Sequence, residues 1–283
     1  MIIFKKASDL KNFLKNSEFY PAKTGFVPTM GALHQGHLQL LEACKKQASL
    51  AIVSVFVNPT QFNDPSDFRN YPVTLEKDIL LLEKAGCDIL FLPPAEEVYD
   101  QGLDVQTHYE LGSLETLLEG YFRPGHFQGV CNVMDKLLQI ILPGHLFMGS
   151  KDYQQCMVIK RLIEIIRLNT RFHLVETVRE ADGLAMSSRN LRLTPEQRSK
   201  AAAIFRQFDF IAKNILLMPL HDLMQIAAGH LFKAGFHKVD YISVADPVTL
   251  APLHSVVKGE NFQVLIAAFI GKVRLIDNKC LTA

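Results

Sequence analysis

Two histidines three residues apart, His34 and His37, stand where a short apolar strand gives way to a helix. The stretch from Lys23 to Lys46 reads KTGFVPTMGALHQGHLQLLEACKK. Gly25-Phe26-Val27 reads as a strand ended by Pro28, and Met30-Gly31-Ala32-Leu33 as a tight turn. From Gly36 the pattern is helical, with Leu38, Leu41 and Cys44 recurring at intervals of three. The first N–H groups of a helix lack internal partners, and the macrodipole adds about half a positive charge there. Strand, glycine turn and helix start therefore make an anion site. Imidazoles spaced i, i+3 face the same anion, and they donate to a phosphate oxygen more strongly when protonated. Gly36, with no Cβ, lets a flat base or sugar approach the backbone. Other readings stay open for the pair alone. A zinc site would want HExxH spacing or a third ligand nearby, and neither is present. Surface histidines, or core histidines satisfied by backbone, fit the same spacing.

Three more clusters carry chemistry. Gly149-Ser150-Lys151-Asp152 is a second strand-to-helix turn, where Lys151 can meet a phosphate and Asp152 can accept from ribose hydroxyls. The plain alternative is a solvated pair with Asp152 capping a helix. Gly183 to Asn190 reads GLAMSSRN, in which Ser187, Ser188 and Arg189 make a polyphosphate clamp or an ordinary polar turn. Gln61 and Gln155 are neutral amides that bind a hydroxyl or carboxylate without leaving a buried charge. Arg123 and His126 can hold an acidic substrate or cap the helix after them.

The elements that position these groups follow from periodicity. Ile2 to Phe4 reads as a strand, and Ser8 as the N-cap of a helix carrying Leu10, Phe13 and Leu14. Leu50 to Val57, LAIVSVFV, is a β-branched run suited to a strand buried on both faces. Thr74 to Ala85 is a helix closed by Gly86, and Asp88 to Leu92 another strand. A long helix runs from Gly125 to Ile141. Leu146 to Met148 is a strand, Tyr153 to Leu168 a helix, and Phe172 to Val175 a last strand. Alternating strands and helices with right-handed crossovers mean an α/β doubly wound parallel sheet, with ligands at the strands' C-terminal ends. Beyond about Val178 come one helix from Pro195 to Leu217, another from His221 to Ala234, then strands at Val239–Val244, Phe262–Ile270 and Val273–Ile276. These make a second, smaller α+β domain, with the boundary at Glu176: residues 1–176 and 177–283. A cleft between the two is the natural substrate site.

The totals agree. The chain has 283 residues, 48% of them hydrophobic, and 30 basic against 29 acidic side chains for a net charge of +1, so charge gives no case for a nucleic-acid partner. Five scattered cysteines with no CxxC read as reduced thiols of a cytoplasmic protein. No apolar run is long enough for a membrane span, and no signal peptide is expected.

Taken together, the motifs resemble the pantoate–β-alanine ligase family. They are PTMGALHxGH (Pro28–His37), FVNPxQF (Phe56–Phe62), YPxTLExD (Tyr71–Asp78), RPGHFxGV (Arg123–Val130), GxKDxQQ (Gly149–Gln155), ADGLAxSSRN (Ala181–Asn190) and RLIDN (Arg274–Asn278). His-x-Gly-His alone belongs to a wide superfamily of nucleotidyl transferases and class I aminoacyl-tRNA synthetases; with SSRN at this distance it is far more specific. The resemblance implies a Rossmann-like domain of the HxGH type and a lid domain. It implies an enzyme that joins pantoate to β-alanine through pantoyl adenylate, consuming ATP with Mg²⁺ held largely by phosphate oxygens, and a homodimer. ATP would be met by Met30, Gly31, Ala32, Leu33, His34, Gln35, Gly36 and His37, by Gly149, Ser150, Lys151 and Asp152, and by Val178, Met186, Ser187, Ser188 and Arg189. His34, His37, Lys151 and Arg189 would be catalytic, with His37 in the position usually assigned as proton donor. Gln61 and Gln155 would hold pantoate. No residue is expected as a metal ligand. The chain departs from the family pattern at Gly144-His145, Met148, Ser150 and Gln128. A nucleotidyl transferase and a nucleotide- or RNA-binding module without chemistry are the competing functions.

Overall fold

The computed structural model describes residues 1–62, 68–100, 102–103 and 107–283. Six strands, Ile2–Phe4 (β1), Thr24–Thr29 (β2), Leu50–Val55 (β3), Ile89–Phe91 (β4), His145–Gly149 (β5) and Arg171–Val175 (β6), form one parallel sheet in the order β1-β4-β3-β2-β5-β6. Helices α1 (Ala7–Lys15), α2 (Gln35–Gln47), α3 (Leu75–Lys84), α4 (His126–Ile141) and α5 (Tyr153–Ile165) cover it. Leu10, Leu14, Phe127, Leu138 and Ile159 of α1, α4 and α5 pack on one face, and Leu41, Cys44 and Leu82 of α2 and α3 on the other. Burial on both faces is why β3 is a continuous apolar run rather than an alternating one.

Strand order reverses between β2 and β5, the switch point at which an open α/β sheet forms its crevice. The two strands pair only at Gly25↔His145 and Phe26↔Leu146, then part. Pro28, expected to end β2, lies inside it opposite Ser54. Thr29 O accepts from Phe56 N at 3.0 Å, so Thr29 turns its polar groups to β3 and Pro28 turns its own to the open side. A missing N–H there interrupts no ladder.

The first helix also starts differently. Its N-cap is Lys6 with no side-chain bond, so Ser8 is not the cap. Glu97 Oε2, far along the chain, takes Ala7 N at 2.8 Å instead.

The second unit holds α6 (Pro195–Ala201), α7 (Ala203–Asn214), α8 (Leu220–Lys233) and an antiparallel sheet of β7 (Lys238–Ala245), β8 (Asn261–Ile270) and β9 (Val273–Thr282). The single helix expected from Pro195 is two, because the backbone tightens at Ala202 (ψ −7°). The last strand runs on to Thr282, six residues past its expected end at Ile276. Phe208, Leu223, Phe262 and Ile266 make this unit's own core. Leu250 and Leu265 meet Leu114, Tyr153 and Met157 of the first unit.

A buried ionic link reinforces that contact. Glu119 accepts from both Arg274 guanidinium ends at 2.8 and 2.7 Å and from Tyr241 Oη at 2.7 Å. Burial alone would raise the Glu119 carboxyl, but those donors hold it down to about 2. Four cysteines, Cys44, Cys87, Cys131 and Cys156, are buried and Cys280 is exposed. Among the described residues no helix is long and apolar enough to cross a membrane.

Candidate active site

A cavity of about 230 Å³ occupies the switch point and is closed from the other side by the loop after β6. Met30, His34, Gly36, His37, Gln61, Gly149, Lys151, Asp152, Gln155, Val178, Met186, Ser187, Ser188 and Arg189 all line it. Gly31, Ala32, Leu33, Gln35 and Ser150 do not.

The two histidines are held by backbone in a reciprocal cap of α2. His34 Nδ1 accepts from Gly36 N at 3.1 Å, and His37 Nδ1 accepts from His34 N at 3.2 Å. A nitrogen that accepts carries no proton, so both neutral rings are the Nε2–H tautomer. The rings lie 4.1 Å apart, centroid to centroid. Burial lowers the His34 pKa, helped by Lys151, and burial with His34 and Lys151 pushes His37 down to about 3. Both rings are therefore neutral Nε2–H donors near pH 7. Gly36 has a nearer reason than access for a base: a Cβ there would stand 2.9 Å from His34 Cε1. The glycine lets the ring fold over its own helix start.

The turn before α2 also differs from the expected anion site. Gly31 and Ala32 adopt φ of +81° and +50°. The next two amides, Ala32 N and Leu33 N, donate to the two oxygens of buried Asp78 at 2.8 and 2.9 Å. Thr74 Oγ1 donates to the same carboxylate at 3.0 Å. The nest is thus filled from within, and these two amides, already bonded to Asp78, are not offered to an anion in the cavity. Left-handed Ala32 is a local cost of order 1 kcal/mol that these bonds offset.

Lys151 sits in a one-turn 3₁₀ segment, with Nζ 3.8 Å from Asp152 Oδ1. Opposite, Met186 N bonds Val178 O and Glu180 N bonds Leu184 O, both at 2.9 Å. That hairpin delivers Ser187, which caps the following turn by accepting Arg189 N at 3.2 Å. Ser188 is buried against Tyr71, hydroxyl to hydroxyl at 3.5 Å.

Of the Gln154-Gln155 pair, Gln154 is spent on Glu119 N, Leu114 O and Leu117 O, which leaves Gln155 on the cavity wall. Gln61 accepts from Asn58 Nδ2 at 3.2 Å and donates to Met30 Sδ at 3.1 Å. His126 does not cap the helix after it, whose N-cap is Gly125 with no side-chain bond; it lines the cavity with Arg123. Its Nδ1–H donates to Gln61 O at 2.8 Å, so Nε2 is the lone-pair nitrogen and accepts from Arg123 Nη1 at 3.0 Å. Burial and the Arg123 charge push it down to about 3. Val130, Val133, Met134 and Leu137, one face of α4, form an apolar wall beside the two glutamines.

Asn58 and Asp78, inside FVNPxQF and YPxTLExD, also build the site, though residue type alone does not single them out. Asn58 is buried, lines the cavity and is fixed by Tyr99 Oη at 2.7 Å. The departures from the family pattern are each accommodated. Gln128 bonds Tyr109 N and O at 3.0 and 2.9 Å, and His145 Nδ1 lies 2.9 Å from His173 Nε2. Ser150 Oγ bonds Thr177 Oγ1 at 3.0 Å, and Met148 is part of the cavity wall.

The family model described as pantoate-beta-alanine ligase matches residues 2–280. A pantothenate synthetase of Leptospira biflexa is 42% identical, the match covering 100% of each chain. The crystal structure of pantothenate synthetase from Thermus thermophilus superposes with a TM-score of 0.90 at 37% identity, covering 99% of both chains. That of pantoate-beta-alanine ligase from Francisella tularensis, complexed with beta-gamma ATP and beta-alanine, gives 0.82 at 36% identity over 99% of this chain and 97% of the other.

Proposed function

We propose, for a chain that belongs to the pantoate–β-alanine ligase family, which of its own side chains carry each step of the reaction. The reaction is ATP-dependent condensation of pantoate with β-alanine. Pantoate's carboxylate attacks the α-phosphorus and pyrophosphate leaves; the β-alanine amine then attacks the acyl carbon of pantoyl adenylate, the C–O bond breaks with its electron pair going to the departing AMP, and the nitrogen releases a proton as the amide forms. Residues 1–176 bind the substrates and residues 177–283 form the lid. The separate cores support that division.

Pantoate lies against Val130, Val133, Met134 and Leu137, which suit its two methyl groups, with its oxygens on the amides of Gln61 and Gln155. ATP runs along the His34–His37 edge. His34 and His37 donate Nε2–H to phosphoryl oxygens, and Lys151 and Arg189 neutralise charge that grows as pyrophosphate departs. Donors already fixed by backbone need no reorganisation, so they act on the transition state rather than on binding alone. The phosphates' negative charge strengthens the hydrogen bond that the neutral His37 ring donates from Nε2. Gly149 and Asp152 face the ribose, Val178 and Met186 the adenine or its sugar, and Ser187 and Ser188 the phosphates. Gly31, Ala32, Leu33, Gln35 and Ser150 serve by shaping the backbone.

Mg²⁺ bound with ATP would supply further positive charge to the phosphates. Among the described residues the carboxylates on the cavity wall are Asp152 and Glu176, hard oxygen donors that would hold such an ion together with the phosphate oxygens. A homodimer is the expected assembly; sedimentation equilibrium that returns the mass of a single chain would overturn it.

The observation that carries this assignment is the pair of backbone-locked Nε2–H donors on one wall with Lys151, Arg189, Gln61 and Gln155. The purified protein is incubated with Mg-ATP and pantoate, with and without β-alanine. AMP and pyrophosphate with pantothenate, turning over only when β-alanine is present, are expected. ATP binding without AMP in either arm returns the chain to a transferase or binding module.

A further inference from the structure

Asn278 lies on β9 of the second unit, outside the wall of the 230 Å³ cavity, yet its side chain ends on the turn that carries Lys151. Its Nδ2 donates to Ser150 O at 2.9 Å and to Lys151 O at 2.7 Å. The orientation of the amide is fixed from behind, because Gln263 Nε2 donates to Asn278 Oδ1 at 2.8 Å. With both donor hydrogens and the oxygen engaged, the carboxamide cannot turn over without losing all three bonds. The next residue back is anchored too: Asp277 takes Arg179 in a two-point ion pair at 2.7 and 3.0 Å and accepts Asn278 N at 2.8 Å. Gln263, Asp277 and Asn278 are all buried.

A 3₁₀ turn of three residues makes few bonds of its own, so Ser150 O and Lys151 O need outside donors. Both come from one side chain of the other unit. We propose that Asn278 is a positioning residue for Lys151: the second unit sets the height of the Lys151 turn through two hydrogen bonds, and so ties the placement of that charge to the seating of the lid. The proposal rests on the adenylating role given to Lys151 above. Asn278 touches no substrate; it acts through the peptide of Lys151.

The test is a double-mutant cycle in the full-length protein, read as single-turnover formation of pantoyl adenylate from Mg-ATP and pantoate. Asn278→Ala should slow that step about 10- to 10²-fold, the penalty of a small misplacement of a catalytic group. The pantoate KM should stay within about twofold, since Asn278 makes no uniform binding contact. In a Lys151→Ala background the same substitution should cost nothing more. Gln263→Ala, which only unlocks the amide, should give a smaller loss that also vanishes without Lys151; it carries the comparison if Asn278→Ala does not fold. A near-wild-type rate for Asn278→Ala, or an equal slowing with and without Lys151, overturns the proposal, the second outcome by showing a general effect on the fold. A wild-type protein that forms no pantoyl adenylate removes the ligase assignment itself, whereas an active wild type with an indifferent Asn278 removes this inference alone.

Discussion

At His34 and His37 the chemistry is decided by which ring nitrogen is occupied. Each Nδ1 is taken by a backbone N–H, so each Nε2 keeps a proton and remains the ring's donor on the cavity wall. His37→Ala or Lys151→Ala should reduce adenylate formation by about 10²-fold or more, as for other lost transition-state donors, with the fold intact by circular dichroism. Near-normal turnover in either variant would sink its assigned role. Asp78 bears on the same histidines from beneath, since it alone holds two amides of the turn before them. Asp78→Asn exchanges an acceptor oxygen for an NH₂ that faces a backbone donor. It should destabilise the protein by about 1–3 kcal/mol in denaturant titration and slow adenylation as well. Unchanged stability would mean the turn is held by something else. Both motif residues were plain in the sequence, but nothing local told a ligand-facing aspartate from one that faces its own backbone.

Among elements, α4 and β9 carry most of what links fold to function. The α4 face of Val130, Val133, Met134 and Leu137 follows i, i+3, i+4, i+7 spacing, so its amphipathicity was legible, but not that part of the face lines a cavity. Val133→Ala removes two methyl groups and should raise the pantoate KM about tenfold with little change in the ATP KM. Equal effects on both substrates would place pantoate elsewhere. At β9 the buried pair between Glu119 and Arg274 joins the two units. Arg274→Ala strands a buried carboxylate and should cost about 3–5 kcal/mol in unfolding experiments, more than an exposed ion pair would. A loss under about 1 kcal/mol would show that the link is solvated.

The whole molecule should lose stability on the acid side in two windows. His37 and His126 are held neutral, with pKa values pushed from 6.5 to about 3. The unfolded chain therefore binds protons first as pH drops. Their contribution is complete above 6.5 and shrinks steadily as pH falls toward 3. Glu119, drawn from 4.5 to about 2, adds a contribution complete above 4.5 and lost as pH falls toward 2. Calorimetric Tm values should decline from pH 7 downward, and His126→Gln should flatten the upper part of that decline. A Tm indifferent to pH between 7 and 4 would mean these groups titrate freely.

The sequence by itself determined the layers of the molecule. The β-branched run of β3, the helical spacing of α2 to α5 and the glycine turns encode local burial and backbone geometry, which depend on near neighbours along the chain. All six strands of the parallel sheet were visible that way, as was the motif set at their C-terminal ends. Partners for polar groups were decided only by the tertiary structure. Glu97 rather than Ser8 caps the first helix, across 90 residues. Asp78 fills the turn before α2 from 45 residues away. Asn278 reaches the Lys151 turn across 127. For the same reason β9 runs past its expected end: Asp277-Asn278-Lys279 after Ile276 are polar, so the apolar pattern breaks while the strand continues. Asp277 and Asn278 are buried because Arg179, Gln263 and the Lys151 turn, all distant in the chain, supply their hydrogen bonds, and a pattern of hydrophobicity carries no record of a partner that arrives through folding.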